Sequence, residues 1–320
     1  KNYPMKNFAK LIKLTLLAVS STLMFSCSDD DSTSSSISSI ADVASRNSNL
    51  TILVEALQRT DLVEVLDSNG SYTVFAPTNQ AFQNFLSENN FASLNDVPVD
   101  VLKEVLLNHV VLGANLSSNL RTGYVKTLGK GSASSTNTLS MYINTASGVK
   151  LNGVSNVIEA NIGASNGVIH VVDAVIGLPT IVTHALANPN FSTLVGALTS
   201  DGQPDFVGIL SGSTNAPFTV FAPSNDSFAT FENQNPGTLA SLSASQLTAV
   251  LSYHVVAGAN VLSNAIPSGP ITTFESGTFS ITGTTITDEA SRQTNITAVD
   301  IQASNGVIHV INNVILPELN

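Results

Sequence analysis

The octapeptide ASNGVIHV stands at residues 164–171 and again at 303–310, and that recurrence constrains the fold more than any other feature of the chain. It is not isolated. TVFAP recurs at 73–77 and 219–223, HVV at 109–111 and 254–256, and LVxAL at 53–57 and 194–198, in the same order in both halves. Along the chain the offsets between copies run 141, 146, 145 and 139 residues, the small drift produced when loops change length between fixed elements. A repeat of that size is too long for a solenoid unit, so each copy should close its own core. A length of 320 residues with 43% hydrophobic letters is enough for two such domains. The boundary is expected at Pro179, ending the last strand of the first copy, with Thr180 starting the first helix of the second.

Each copy reads as helices first and strands later. Ile52, Leu53, Ala56 and Leu57 keep an apolar face at helical spacing, as do Leu102, Val105, Leu106 and His109 after Pro98 and Asp100. SYTVFAP has the content of a buried strand stopped by Pro77, after which Thr78 or Asn79 can cap a helix pointing Phe82, Phe85 and Leu86 inward. Phe75 and the second-copy residues Phe221, Phe228 and Phe231 are expected in the core by the same logic. The second half of each copy consists of short Thr, Val, Ile and Ser runs cut by glycine. Within it, Asn166-Gly167 and Asn305-Gly306 predict hairpin turns of the type that needs positive φ at both central residues.

Ahead of the repeats the chain reads as an address. From Met5, taken as the natural start, Lys6, Lys10 and Lys13 precede an apolar run from Leu14 to Phe25, too short to span a bilayer as a helix. Ser26 and Cys27 follow, and LMFSC resembles a lipobox, in which the cysteine is lipidated and becomes the mature N-terminus. The expected division is an export signal over 1–26, an acidic Ser-rich tether over 27–36, and domains over 37–179 and 180–320. Ser28, Asp29, Asp30 and Asp31 after Cys27 also resemble the acidic export tag of surface lipoproteins of the Bacteroidetes. The expected location is therefore the outer membrane, facing outward, with the lipid as the sole membrane contact.

Charge and composition exclude several function classes. The formal net charge is −11, and four of the 12 basic residues lie in the first 13 positions, so the folded part carries few cations and repels phosphate backbones. Nucleic-acid binding is not expected. With Cys27 the sole cysteine there is no disulfide framework, and no histidine cluster or regular acidic spacing suggests a metal. GASNG at 163–167 fits G-x-S-x-G, but β-rich residues follow Ser165 where a hydrolase needs a helix, and the second copy has Gln302 in place of the first glycine. Four of the five histidines recur in pairs, His109 with His254 and His170 with His309, which suggests structural hydrogen bonds; His184 has no counterpart. No catalytic group, cofactor or metal is assigned.

With these segments in place the chain resembles a tandem pair of fasciclin domains from residue 37 to about 318. TVFAPTNQAF and TVFAPSNDSF match the family's first signature, and ASNGVIHVVDAVIGLP and ASNGVIHVINNVILP match its second. The resemblance implies an α+β fold in which each domain is a twisted β-wedge packed against a helical layer. It also implies non-enzymatic cell-surface adhesion to extracellular matrix, host or neighbouring-cell components. Two family features tied to adhesion carry over: a Tyr-His pair at Tyr253 and His254, and an Asp-Ile pair at Asp300 and Ile301. The first copy departs from both, having Asn108 before His109 and Asn161 before Ile162. The second domain is thus the better candidate for contacts with an extracellular protein or polysaccharide. An extracellular glycan-binding or accessory module, marked by aromatic side chains beside carboxamides, and a structural envelope spacer are the alternatives.

Overall fold

The computed structural model describes residues 38–319; the expected export signal, Cys27 and the tether lie outside the described residues. The first repeat runs α1 (Ile40–Ser45), α2 (Thr51–Arg59), α3 (Val63–Asp67), β1 (Tyr72–Pro77), α4 (Asn79–Glu88), α5 (Val99–Leu107), β2 (Val110–Leu112), β3 (Gly123–Gly131), β4 (Ser134–Asn144), β5 (Lys150–Leu151), β6 (Ser155–Ala164) and β7 (Gly167–Val172). The second runs α6 (Ile181–Ala187), α7 (Ser192–Leu198), α8 (Phe206–Ser211), β8 (Phe218–Pro223), α9 (Asn225–Gln234), α10 (Thr238–Ser241), α11 (Ala244–Tyr253), β9 (Val255–Ala257), β10 (Pro270–Thr272), β11 (Thr278–Thr282), β12 (Thr285–Thr287), β13 (Gln293–Ala303) and β14 (Gly306–Ile311). Each repeat is α+β, a barrel-like wedge of strands packed with helices. Short polar side chains set the helix starts: Thr78, Ser224 and Thr180 each accept a hydrogen bond from the backbone N–H three residues on. Thr180 thus opens the second repeat, whereas the last strand of the first ends at Val172, before Pro179.

The two recurring motifs are neighbours in space. β1 carries TVFAP and β7 carries the octapeptide's apolar end; they pair in parallel from Tyr72↔Gly167 to Pro77↔Val172. β8 and β14 repeat this from Phe218↔Gly306 to Pro223↔Ile311. Strands buried on both faces read as apolar runs, as the motifs do. Phe75 stacks on His170 with ring centroids 5.6 Å apart, and Phe221 on His309 at 5.4 Å. Phe82 and Phe231 are also fully buried, while Phe85 and Phe228 are half-buried at the edge of the helical layer.

The hairpin before β7 differs from expectation by one residue. Ala164 pairs with Gly167, so Ser165 and Asn166 form the loop, and Asn166 is not in a positive-φ conformation. Glycine is required for another reason. A Cβ on Gly167, at φ +155°, would lie 2.1 Å from the Tyr72 carbonyl oxygen, and one on Gly306 would lie 2.2 Å from that of Phe218. The octapeptide enters its strand too close to the parallel neighbour for any side chain.

The asparagine beside that glycine is a bracket. Asn166 Oδ1 accepts from the Ile40 N–H at the start of α1, and its Nδ2 donates to the Leu66 and Ser68 carbonyls at the end of α3. Asn305 does the same with Ile181, Leu210 and Gly212. Both side chains are buried, so each hydrogen bond replaces water that the site excludes.

The sheets differ between repeats. In the first, β1 to β7 close into a barrel, β2 joining β3 at Val111↔Thr127. In the second the order is β10-β11-β12-β13-β14-β8-β9, with β9 and β10 at the two ends. β10 is three residues long and begins with Pro270, which has no N–H to donate.

The glycine geometry gives a paired prediction. Gly306→Ala should destabilise the protein by about 3 kcal/mol or more, as overpacking against backbone does. Gly163→Ala, whose Cβ meets nothing within 4 Å, should stay within about 0.5 kcal/mol of the parent. Urea unfolding followed by circular dichroism measures both.

Candidate functional site

The histidines are committed to the fold. His109 follows α5; its Nδ1 lies 2.7 Å from the Val105 carbonyl, and its Nε2 accepts from the Ile176 N–H. His254 repeats this with Val250 and Ile315. On β7 and β14 the roles invert: His170 Nε2 donates to the Asn115 carbonyl and Nδ1 accepts from the Asn161 N–H, as His309 does with Val261 and Asp300. Each of these four rings has one nitrogen donating and one accepting, as a neutral imidazole does. Burial pushes every histidine below the ordinary histidine value, His109, His184 and His254 down to about 4. Among the described residues no group of three or more His, Cys, Asp or Glu could hold a metal ion.

Of the four residues carried over as adhesion contacts, Tyr253, His254 and Ile301 are buried and Asp300 is half-buried. Tyr253 is 0% exposed, and its hydroxyl donates to the Thr278 carbonyl and accepts from the Glu289 N–H, tying α11 to β11. His254 is buried as well, although a contact residue needs an exposed side chain. Asp300 sits in a bulge of β13 at φ +60°, where its carboxylate accepts from Ser263 N–H and Oγ–H. Asn161, at φ +66°, accepts from the Ser117 N–H in the same way but donates through Nδ2 to Ser117 Oγ, so the Asp-for-Asn difference reverses one bond and keeps the link to the serine. Ile301 packs in the core of the second repeat. Ser165 sits in a hairpin loop between two strands, which is not the strand-to-helix turn of a nucleophile.

What surrounds Asp300 is the other repeat. The β3–β4 hairpin of the first repeat lies along β13 of the second. Lys126 Nζ donates to the Asp300 carbonyl, Ser140 Oγ accepts from the Gln302 N–H, and the Ser304 carbonyl accepts from Ala133 N–H and Ser132 Oγ–H. Contact is close enough that a Cβ on Gly131 would lie 2.3 Å from Ser304 Cα. Tyr124 reaches into the second repeat's core, edge-on to His184 with centroids 5.4 Å apart, and Asn188 Nδ2 donates to its hydroxyl at 3.4 Å. The unpaired fifth histidine is therefore an interface residue. Gln302, which broke the serine motif, is 1% exposed and bonds to Asn260 and to the Ala303 and Gly306 carbonyls.

Beside Tyr124 the interface leaves a crevice of ≈ 290 Å³ between the repeats. Its walls are Thr122, Tyr124 and Tyr142 from the first repeat and Asn188, Asn190, Phe191, Ser224, Ile301 and Val310 from the second. Tyr124 and Tyr142 pack with centroids 5.0 Å apart. None of these residues was singled out by sequence reasoning except Ile301. The signal was the change in repeat offset from 145 to 139 between residues 111 and 164, the interval that contains the β3–β4 hairpin and both tyrosines.

Comparison with known proteins places this architecture. The fasciclin domain model matches twice, at residues 48–179 and 189–317, most of the chain. The chain belongs to the fasciclin family. A stretch of it is 40% identical over 146 residues to protein sll1483 of Synechocystis sp., covering 44% of this chain and 74% of that one. Another is 29% identical over 142 residues to the cell surface glycolipoprotein MPB83 of Mycobacterium bovis, covering 43% of this chain and 60% of that one. Among solved structures, a domain pair from the insect cell adhesion molecule fasciclin I covers 85% of this chain at a TM-score of 0.51, with 97% of that chain matched and 19% sequence identity. That likeness shows the fold of a fasciclin pair. Among the described residues no helix is long and apolar enough to cross a membrane.

The buried imidazoles make the stability of these fasciclin domains pH-dependent. The unfolded chain binds protons near the ordinary value of 6.5, while the folded rings of His109, His184 and His254 resist them down to about 4. Stability is thus full above pH 6.5 and is lost as pH falls from 6.5 toward 4, on the order of 3 kcal/mol for each of these rings. Melting temperature measured at half-unit steps from pH 7.5 to 4 should fall across that window and be flat above it.

Proposed function

We propose that this fasciclin protein is a non-enzymatic cell-surface adhesion protein, exported to the outer membrane, held there by lipid on Cys27, and attached through its folded repeats to extracellular matrix, host or neighbouring-cell components. The observation that carries the reading is the docked pair. The β3–β4 hairpin fixes one repeat on the other through side chains and backbone. The bearer of such a pair presents surface from both domains in one orientation, so weak contacts on each add without a further ordering cost. The paired histidines serve the fold in both copies, and Ser165 lies in a hairpin loop between strands, which supports a role without catalysis. The surface location agrees with MPB83, a cell surface glycolipoprotein by name, and with the adhesion molecule that shares the fold.

Burial of Tyr253, His254 and Ile301 moves the proposed contact face elsewhere. Val99 and Val101 on α5 and Leu112 on β2 are exposed apolar residues of the first repeat, and Leu186 and Val207 are exposed on the helices of the second. The partner is an extracellular protein or polysaccharide.

The reading is tested on cells. Bacteria displaying the parent protein should incorporate labelled palmitate into it and attach to surfaces coated with matrix proteins or polysaccharide above an empty-vector control. Cys27→Ala should abolish labelling, shift the protein out of the membrane fraction and remove the added attachment. Membrane-bound Cys27→Ala protein, or attachment equal to the control, would refute the anchor or the adhesion respectively.

A further inference from the structure

The crevice between the repeats has a composition that selects a ligand. Its lining residues carry no charge: the polar groups are hydroxyls and carboxamides of Thr122, Tyr124, Tyr142, Asn188, Asn190 and Ser224, set around an apolar floor of Phe191, Ile301 and Val310. Tyr142 marks the site as more than a packing gap. The residue as a whole is 4% exposed, yet its hydroxyl has no partner among the described residues. Nor is that hydroxyl sealed from solvent, since the sealed unpartnered atoms among the described residues are Asn152 Nδ2, His184 Nδ1 and Arg292 Nε. The oxygen therefore opens into the crevice that the ring lines. A hydroxyl fixed by a buried ring and committed to no protein partner is free to exchange its solvent contact for a ligand's hydrogen bond. Asn190 adds an exposed carboxamide, whose backbone N–H is fixed by Asn188 Oδ1 while its side chain has no partner among the described residues.

A ligand for this site must be neutral, must exchange several hydrogen bonds with hydroxyls and amides, and must lay an apolar face on the floor at Ala298 and Val310, beneath which Phe191 and Ile301 are almost wholly buried. A pyranose ring has that chemistry: hydroxyls around its rim and C–H groups on its faces. The volume of ≈ 290 Å³ is at the low end of small-molecule sites, about 300–1,000 Å³, which suits a single sugar residue with its chain running out to solvent. Charged sugars have no counter-ion here and would lose hydration without compensation. We propose that the crevice between the two repeats is a binding site for one neutral pyranose unit of an extracellular glycan, with Tyr142 and Asn190 as its hydrogen-bonding residues. The site is built by both repeats together: β3 and β4 supply the tyrosines, and the segment after α6 supplies the asparagines. It stands independently of adhesion through the exposed apolar residues.

The test uses the full-length protein with methyl glycosides of glucose, galactose, mannose and fucose, and glucuronate as a charged comparator, read by saturation-transfer NMR and titration of tyrosine fluorescence. At least one neutral glycoside should bind saturably, and glucuronate should not. Tyr142→Phe, which keeps the ring and removes the hydroxyl, should weaken that binding about tenfold. Asn190→Ala, at an exposed position, should weaken it several-fold with the melting temperature unchanged. The proposal is overturned if no neutral glycoside binds, if glucuronate binds better, or if Asn190→Ala binds like the parent. Cell attachment that persists in Asn190→Ala while glycoside binding is lost would separate this site from the adhesive surface.

Discussion

The parallel pairing of β1 with β7, and of β8 with β14, is the contact on which each repeat depends. It joins a strand near the start of the domain to one at its end, along Tyr72↔Gly167 and Phe218↔Gly306. The other strands attach in antiparallel fashion on either side of it. The approach is tight enough to forbid a side chain at the head of β7 and β14, and the asparagine just before that glycine clamps the first and third helices over the sheet. Those are the residues written twice, because each is dictated by a backbone position that no other residue satisfies.

The repeats were legible because duplication exposes what the fold cannot vary. The order of motifs, the strands, the caps at Thr78 and Thr180 and the structural use of the paired histidines follow from short-range pattern and the chemistry of single residues. The hairpin loop was placed one residue late because Asn-Gly is a strong local turn signal, whereas here glycine answers to the carbonyl of Tyr72, 95 residues earlier in the chain. A distant neighbour leaves no periodic trace.

The contact residues were misplaced for a related reason. Tyr253 and Asp300 are polar, stand beside irregular backbone and differ between copies, all properties of surface residues. The structure uses the polarity internally: Tyr253 joins α11 to β11, and Asp300 holds Ser263, in the role Asn161 plays with Ser117. The interface and its crevice were hidden further, since they involve the segment where the copies differ. Tyr124 and Tyr142 have no repeat partner to draw attention to them, and only the change in offset pointed to extra chain there.

The docking of β3–β4 on β13 also orders events in time. During synthesis the chain emerges from its N-terminal side, so the first barrel can close once β7 is out, but the surface that receives its hairpin lies more than a hundred residues further on, at Asp300 to Ser304. Until then Tyr124 stands beside a completed domain with nothing to enter. The first repeat thus waits as a half-made joint, and arrival of the last two strands both finishes the second core and locks the pair. Joining of the two repeats therefore waits for the C-terminal end of the chain.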